Sequence, residues 1–432
     1  MICPHIEASS QARASSGAPI LDEPDRRRTT HHPDRPRGYT SRMDDVVIIE
    51  GARTPVGKFL GSYSELPAVQ LGTLAAVEAM RRSSIEPDQV DQTIFGHARQ
   101  AGNGPNTGRQ VSIRASVPTE VSGYNVNFAC GSGMKAVQLA AQQIRLGDAE
   151  VVLAGGMENM TRVPFLLPSM RTGHRLGHTE VLDGMYTDGL LDPLCGLIMG
   201  QTAENLVEKY DISRQEQDEF ALRSQELAAA SEERRAAEMF PVEAPGHKGA
   251  VVLTQDEHLR PGTTMASLSD LRPVFREGGS VTAGNSSGLT DGAAAMVLMS
   301  GVRAKVEGRE TLAQVLGISW AGVPPEIMGI GPVPATHKVL EKAGLSLADI
   351  DLIEINEAFA AQVIACEREL KFDREKLNVR GGGISIGHPI GMSGAKIILS
   401  LAYEMRDRGV SLGLATLCVS GGQGLAVLLG RA

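Results

Sequence analysis

Two cysteines nearly three hundred residues apart each stand beside a cluster of glycines: Cys130 in NFACGSGMKA and Cys418 in TLCVSGGQGLA. Most cysteines of a soluble chain are small buried hydrophobes. Glycine following both indicates a backbone that turns tightly and lets another group come close. A thiol at such a turn can serve as nucleophile or base, given a partner to activate it. His388, in GGGISIGHPIG, is the candidate partner, and Asn356, in EINEAFAA, could fix a water or substrate oxygen through its amide. The Ser420-Gly421-Gly422 turn after Cys418 could offer free backbone N–H groups to an oxyanion. Cys130 precedes a helical pattern, whose N-terminal dipole is expected to favour a thiolate.

An internal repeat explains how these groups could meet. Val90-Asp91 to Phe95-Gly96-His97-Ala98 aligns with Ile350-Asp351 to Ile355-Asn356-Glu357-Ala358. Cys130-GSGMKAVQLAAQQIRLGD followed by AEVVLAGG aligns with His388-PIGMSGAKIILSLAYEMRDRG followed by LGLATLCVSGG. Each copy reads as turn, glycine-rich helix start, helix, loop and buried strand ending in Gly-Gly, so the chain is α/β with two related halves. The repeat puts Cys130 and His388 at equivalent turns before equivalent helices. Cys418 closes the last strand of the second half only.

The domain reading follows. Residues 43–161 with 284–310 form the first half, and residues 311–432 form the second. The irregular stretch 162–283 is an inserted segment, containing a capping box at Ser213 to Glu216 and apolar periodicity through Phe220, Leu222 and Leu227. Residues 1–42 are rich in Pro, Arg, Ser and His with no apolar periodicity. Acids at Glu7, Asp22, Glu23, Asp25 and Asp34 argue against a transit peptide, so this segment reads as a disordered tail or an over-long start upstream of Met43.

Composition narrows the function classes. At 432 residues, 42% hydrophobic and 22% charged, the chain is an ordinary globular one. A net charge of -9 argues against nucleic acid or an anionic membrane as partner. Five cysteines without C-x-x-C pairs suit a reducing, cytoplasmic compartment. Singly placed Cys and His do not match structural zinc spacing, so no metal is expected. Gly284 to Gly288 satisfies G-x-S-x-G, but LTDGAAAMVL is a poor helix for a nucleophile elbow. Gly102-Asn103-Gly104 lacks the remaining glycine of a dinucleotide loop.

The blocks VVIIEGARTPVGKF, NFACGSGMKA, VTAGNSSGLTDGAA, NEAFA, GGGISIGHPIGMSGAK and CVSGGQG, in this order and spacing, resemble the thiolases, the acetyl-CoA acyltransferases. That resemblance implies a duplicated five-layer α-β-α-β-α fold whose inserted segment binds CoA, and a homodimer or homotetramer. It implies Cys130 as the acylated nucleophile, His388 as its activator, Cys418 as acid/base, and Asn356 holding a water that stabilises the enolate with His388. The backbone N–H groups of Cys130 and Ser420 would form the other oxyanion hole. Met199, Phe275 and Phe359 would wall the pocket, and Ser287 and Arg260 would contact CoA. Acyl-CoA and CoA are then substrates, with no cofactor.

Three departures from the family pattern are visible: Ser420 for a glycine, Gly383 and Ser385 for alanines, and Ile198 where acetoacetyl-CoA-type members often carry His. The last points to a broader acyl pocket. A ketoacyl synthase relative would place a second His where this chain has Cys418. A degenerate lipid-binding relative would not need all four reactive side chains.

Overall fold

The computed structural model describes residues 45–245 and 249–432; the tail reading for residues 1–42 lies outside them. Nine strands of four or more residues, with the short strand Gly57–Lys58 paired to the fifth of them, form one sheet: β1 (Val46–Arg53), β2 (Gln92–His97), β3 (Ser122–Val126), β4 (Val151–Asn159), β5 (Thr290–Ser300), β6 (Ala313–Gly322), β7 (Leu352–Ile355), β8 (Leu412–Val419) and β9 (Gln423–Gly430). Their order is β7-β8-β9-β6-β1-β5-β4-β2-β3. Strands β1 to β5 belong to the first half, β6 to β9 to the second. The halves join where β1 and β6 pair over two residues, Val47 with Gln314 and Ile48 with Ala313.

Most of these strands read as continuous apolar runs because both faces are buried, and the period of two divides their side chains between separate cores. Val46 and Ile48 enter a central core with Val152, Ala154, Leu425 and Val427. Val47 and Ile49 enter an outer core with Val151 and Leu153. Ala426 and Leu428 enter a second outer core. Helix α1 (Ala68–Ser83) covers the first outer face. Helices α2 (Ser132–Leu146) and α3 (Ile390–Arg408) lie together against the inner faces. Helix α4 (Pro332–Ala343) covers the far side of β6, β8 and β9. The result is the five-layer α-β-α-β-α arrangement.

The repeat is visible in hydrogen bonds as well as in pattern. Asp91 accepts from the backbone N–H groups of Glu150 and Val151 at 2.8 and 2.9 Å. Asp351, its counterpart, accepts from Ser411 and Leu412 at 2.9 and 2.8 Å. In each half an aspartate thus pins the strand that follows the central helix. The two central helices start almost in contact. A Cβ on Gly133 would lie 2.7 Å from the Ala395 nitrogen, and one on Gly156 would lie 2.2 Å from the Gly391 oxygen. Only glycine allows this approach, which sets the turns carrying Cys130 and His388 side by side.

Between β4 and β5 the chain leaves the sheet. The Ser213 capping box forms, with Ser213 Oγ accepting from the Glu216 N–H at 3.1 Å and Glu216 returning to the Ser213 N–H at 2.7 Å. It starts the helix Arg214–Ala230. The G-x-S-x-G segment is followed by strand β5 and not by a helix, and Ser286 Oγ donates to the Thr282 carbonyl at 2.6 Å. The hydrolase alternative falls on that geometry.

Candidate active site

Cys130 sits one residue before the Gly131 cap of α2, and the preceding Ala129 has a φ of 43°. A non-glycine residue in the left-handed region is strained and persists only where its surroundings hold it. Here the Ala129 N–H donates to Asn127 Oδ1 at 3.0 Å, its carbonyl accepts from Ser132 Oγ at 2.7 Å, and the Gly131 N–H closes the turn on the Phe128 carbonyl at 2.9 Å. The thiol is thereby held at the start of the helix.

His388 is buried, with Nδ1 2.5 Å from Ser393 Oγ. Ser393 Oγ also lies 2.9 Å from the Pro389 carbonyl, which can only accept. The serine proton is therefore directed to Pro389, Nδ1 carries hydrogen toward Ser393, and Nε2 is the unprotonated nitrogen. Burial, with Lys396 nearby, lowers the imidazole to about 4, so it is neutral near pH 7. Asn356 follows the end of β7, and its Nδ2 lies 3.4 Å from His388 Nε2. Asn356 does not itself line the cavity described below; it backs His388.

Cys418 is the penultimate residue of β8, buried against Met328, Ala358, Phe359 and Val281. After it, Gly421 and Gly422 adopt φ of 82° and 76°, a turn that requires glycine at both positions. The Gly421 N–H donates to Asp192 Oδ2 at 2.8 Å, which fixes the turn from the inserted segment. The Ser420 N–H is left pointing at the Cys130 sulfur.

The thiols titrate differently from what the helix position alone implies. Burial raises Cys130 above its ordinary value, outweighing Arg99 and the backbone amides of Ser420 and of Cys130 itself, all of which favour the thiolate. The helix start thus does not yield a net-lowered thiol. Cys418 is pushed up further, by burial and by the proximity of Cys130 and Cys366, with only its own backbone N–H opposing. The environments are unequal in the direction that separates a nucleophile from a proton carrier.

A cavity of about 810 Å³ joins these groups. Cys130, His388, Cys418 and Ser420 line its inner end, and Ser287, Arg260, Met199, Phe275 and Phe359 line it too. Phe275 and Phe359 meet edge to face with centroids 6.0 Å apart. Gly200 makes room for the Phe275 ring, because a Cβ there would fall 2.2 Å from it. The loops carrying Ser287 and Phe359 are zipped together, with the Ser287 N–H donating to Ala358 O and the Ala360 N–H to Asn285 O, both at 2.9 Å. Arg260 is exposed at the rim.

Several lining residues were not legible beforehand. Met160, Tyr186, Leu190, Met328 and His258 reach the cavity, Tyr186 and Leu190 from one turn and the others from separate segments. His258 packs on Gly288 and is lowered to about 4, first by burial and then by Arg260. Glu158 was also missed. It accepts from the N–H groups of Ala98, Arg99 and Gly391 at 3.3, 3.1 and 3.0 Å, so one buried carboxylate ties the end of β4 to the first turn of α3. Ser385 joins a buried network, 2.9 Å from Ser224 Oγ, which donates to Glu357 at 2.6 Å. The hydroxyl that replaces an alanine methyl there is satisfied.

Comparison with known proteins agrees with this geometry. The family model "Thiolase, N-terminal domain" matches residues 46–302, and "Thiolase, C-terminal domain" matches 309–431. The chain is 49% identical over 392 residues to the acetyl-CoA acetyltransferase of Pseudomonas aeruginosa, covering 90% of this chain and 100% of that one. A probable acetyl-CoA acyltransferase of Staphylococcus epidermidis is 46% identical, with 90% and 99% covered. The crystal structure of the Bacillus anthracis acetyl-CoA acetyltransferase superposes with a TM-score of 0.89 at 47% identity, covering 91% and 100%. Human mitochondrial 3-ketoacyl-CoA thiolase in complex with CoA superposes at 0.86 and 39% identity, covering 90% and 98%.

Proposed function

This chain belongs to the thiolase family, and from that premise we propose how its own residues run reversible acyl transfer between a 3-ketoacyl-CoA and CoA. In the cleavage direction the Cys130 sulfur attacks the C3 carbonyl while its proton passes to His388 Nε2. The Cys130 and Ser420 N–H groups would face the developing oxyanion. As the C2–C3 bond breaks, Cys418 gives its proton to C2, and acetyl-CoA leaves. The Cys418 thiolate then takes the proton of an incoming CoA thiol, whose sulfur attacks the acyl-Cys130 thioester. Departing Cys130 recovers its proton from His388. Run backwards with two acetyl-CoA molecules, the same steps make acetoacetyl-CoA and CoA.

The observation that carries this reading is the convergence of two unequal thiols, a neutral imidazole with its Nε2 unprotonated, and the Ser420 amide on a single cavity. A condensing enzyme of the ketoacyl synthase kind fits less well, since the second proton carrier here is a thiol. Every step is a proton or acyl transfer among these side chains, so we propose no resident metal or redox cofactor. Arg260 and Ser287 at the outer cavity are proposed to hold CoA. Ile198, Leu190 and Ile390 line the same cavity with apolar side chains, which supports acyl groups longer than acetyl.

Assembly and setting are also proposals. β3 pairs only with β2, leaving one edge of the sheet open, and Phe165, Leu167, Met170, Leu176 and Val181 are exposed on the excursion after β4. An open edge and apolar side chains favour a second copy of this chain as partner, in a homodimer or homotetramer. The four cysteines among the described residues are free thiols, which suits a cytoplasmic location. Among those residues no helix is long and apolar enough to cross a membrane.

The test is thiolysis of acetoacetyl-CoA and a chain-length series of 3-ketoacyl-CoAs, followed by loss of enolate absorbance. Absence of turnover on every member would sink the assignment. Cys130→Ala should form no acyl-enzyme. Cys418→Ala should acylate and then stall; normal turnover by it would remove Cys418 from the proton-carrier role.

A further inference from the structure

Arg99 follows the end of β2 and is only 7% exposed. Its Nη2 donates to the Gly189 carbonyl at 3.2 Å, while its buried Nε has no partner among the described residues. Gly189 lines the active cavity, and a Cβ on it would fall 2.8 Å from Arg99 Nε. The neighbouring Ala98 packs against Cys130. Glu158 is close, but it takes the Arg99 backbone N–H and not the guanidinium. A buried guanidinium without a carboxylate is costly unless some other anion offsets it.

We propose that Arg99 is an electrostatic positioning residue, whose buried, unpaired charge steadies the ionised sulfur of Cys130 as it attacks. The inference rests on Cys130 being the nucleophile. The titratable and charged groups facing that sulfur are His388 from the turn before α3, Cys418 from β8, Glu158 from the end of β4, and Arg99 itself. Arg99 favours the thiolate and disfavours the imidazolium of His388, whereas Glu158 acts in the opposite sense on both. Arg99 and Glu158 thus act in opposite senses on the proton that moves between sulfur and imidazole, and Lys396 on α3 adds to Arg99 in disfavouring the imidazolium.

The competing explanation is mechanical: Arg99 only pins the Tyr186–Leu190 turn through Gly189. The two are separated by the pH profile of Cys130 alkylation with iodoacetamide on the full chain, read by mass spectrometry on the Cys130 peptide. Arg99→Gln should shift the profile upward by about one pH unit, so that labelling at neutral pH slows by about tenfold. Arg99→Lys, which restores charge without the guanidinium geometry, should recover most of the rate. A Gln profile superimposed on wild type, or a Lys profile displaced as far as Gln, overturns the proposal. Should Arg99→Gln not fold, Glu158→Gln decides: a downward shift supports the opposed pair, and an unmoved profile overturns it. Labelling requires no turnover, so failure of the nucleophile assignment would be seen separately, as thiolysis by Cys130→Ala.

Discussion

The Ser393 hydroxyl reaches His388 Nδ1 from one turn along α3, and this single contact decides which ring nitrogen faces the substrate. Ser393→Ala removes that acceptor and lets the imidazole sample the wrong tautomer. We expect kcat to fall by about tenfold or more with little change in KM, checked by steady-state thiolysis. His258 gives a residue-scale prediction of a different kind. Its folded value near 4 lies below the ordinary 6.5, so between these values the unfolded chain binds a proton that the folded chain refuses. Stability from this group therefore falls as pH drops through that window, by up to about 3 kcal/mol. Urea denaturation of His258→Gln against wild type should show the difference shifting toward the variant by about that amount from pH 7 to pH 4. An unchanged difference would mean His258 is charged in the folded state. Cys130, His388 and Cys418 were legible in the sequence because reactive side chains in glycine-rich turns are unusual, and Asn356 because it stands at the end of the strand that the repeat makes equivalent. Ser393, His258 and Arg99 were not, since an ordinary serine, histidine or arginine acquires its part only from what folding sets beside it.

At the scale of elements, the seating of the α3 start on β4, beside the start of α2, is the least forgiving contact. A Cβ at Gly156 meets the Gly391 carbonyl, which is backbone and cannot rotate away. Gly156→Ala should cost more than about 3 kcal/mol or prevent soluble expression. Gly147, which ends α2 with a φ of 76° and nothing within 4 Å of its would-be Cβ, offers the control. Gly147→Ala should cost only about 1 kcal/mol, the left-handed penalty alone. Comparable losses in the two denaturation curves would refute the steric account. The helix–strand order of each half could be read in the repeat, because local pattern and turn chemistry carry it. The β1–β6 junction could not: two residue pairs leave no periodic trace, and partner choice between edge strands depends on how the layers stack.

Across the whole molecule, a buried ionic network ties the inserted segment to both halves. Arg53 on β1 bonds Glu238 at 2.6 Å and Asp256 at 2.7 Å, while Arg380 from the second half approaches Glu238 at 3.8 Å and Arg234 of the inserted segment bonds Glu404 on α3 at 2.5 Å. Arg53→Leu would leave two buried carboxylates short of a partner and should cost about 3–5 kcal/mol, read by chemical denaturation. A loss under about 1 kcal/mol would show that Arg235 alone suffices for Asp256. Such a network is invisible in sequence because its members lie up to about 350 residues apart along the chain and look like ordinary surface charges. The same reach shapes how the protein comes into being. Helix α3 is buried at every position from Ile390 to Met405, so it has no solvent face along that length and serves as the filling between the strand layers of the two halves. During synthesis the part of the first half's inner face that α3 covers, beside α2 on β4 and β5, must wait uncovered until about a hundred more residues have left the ribosome. That interval is when the nascent chain is most exposed to aggregation and most in need of a chaperone.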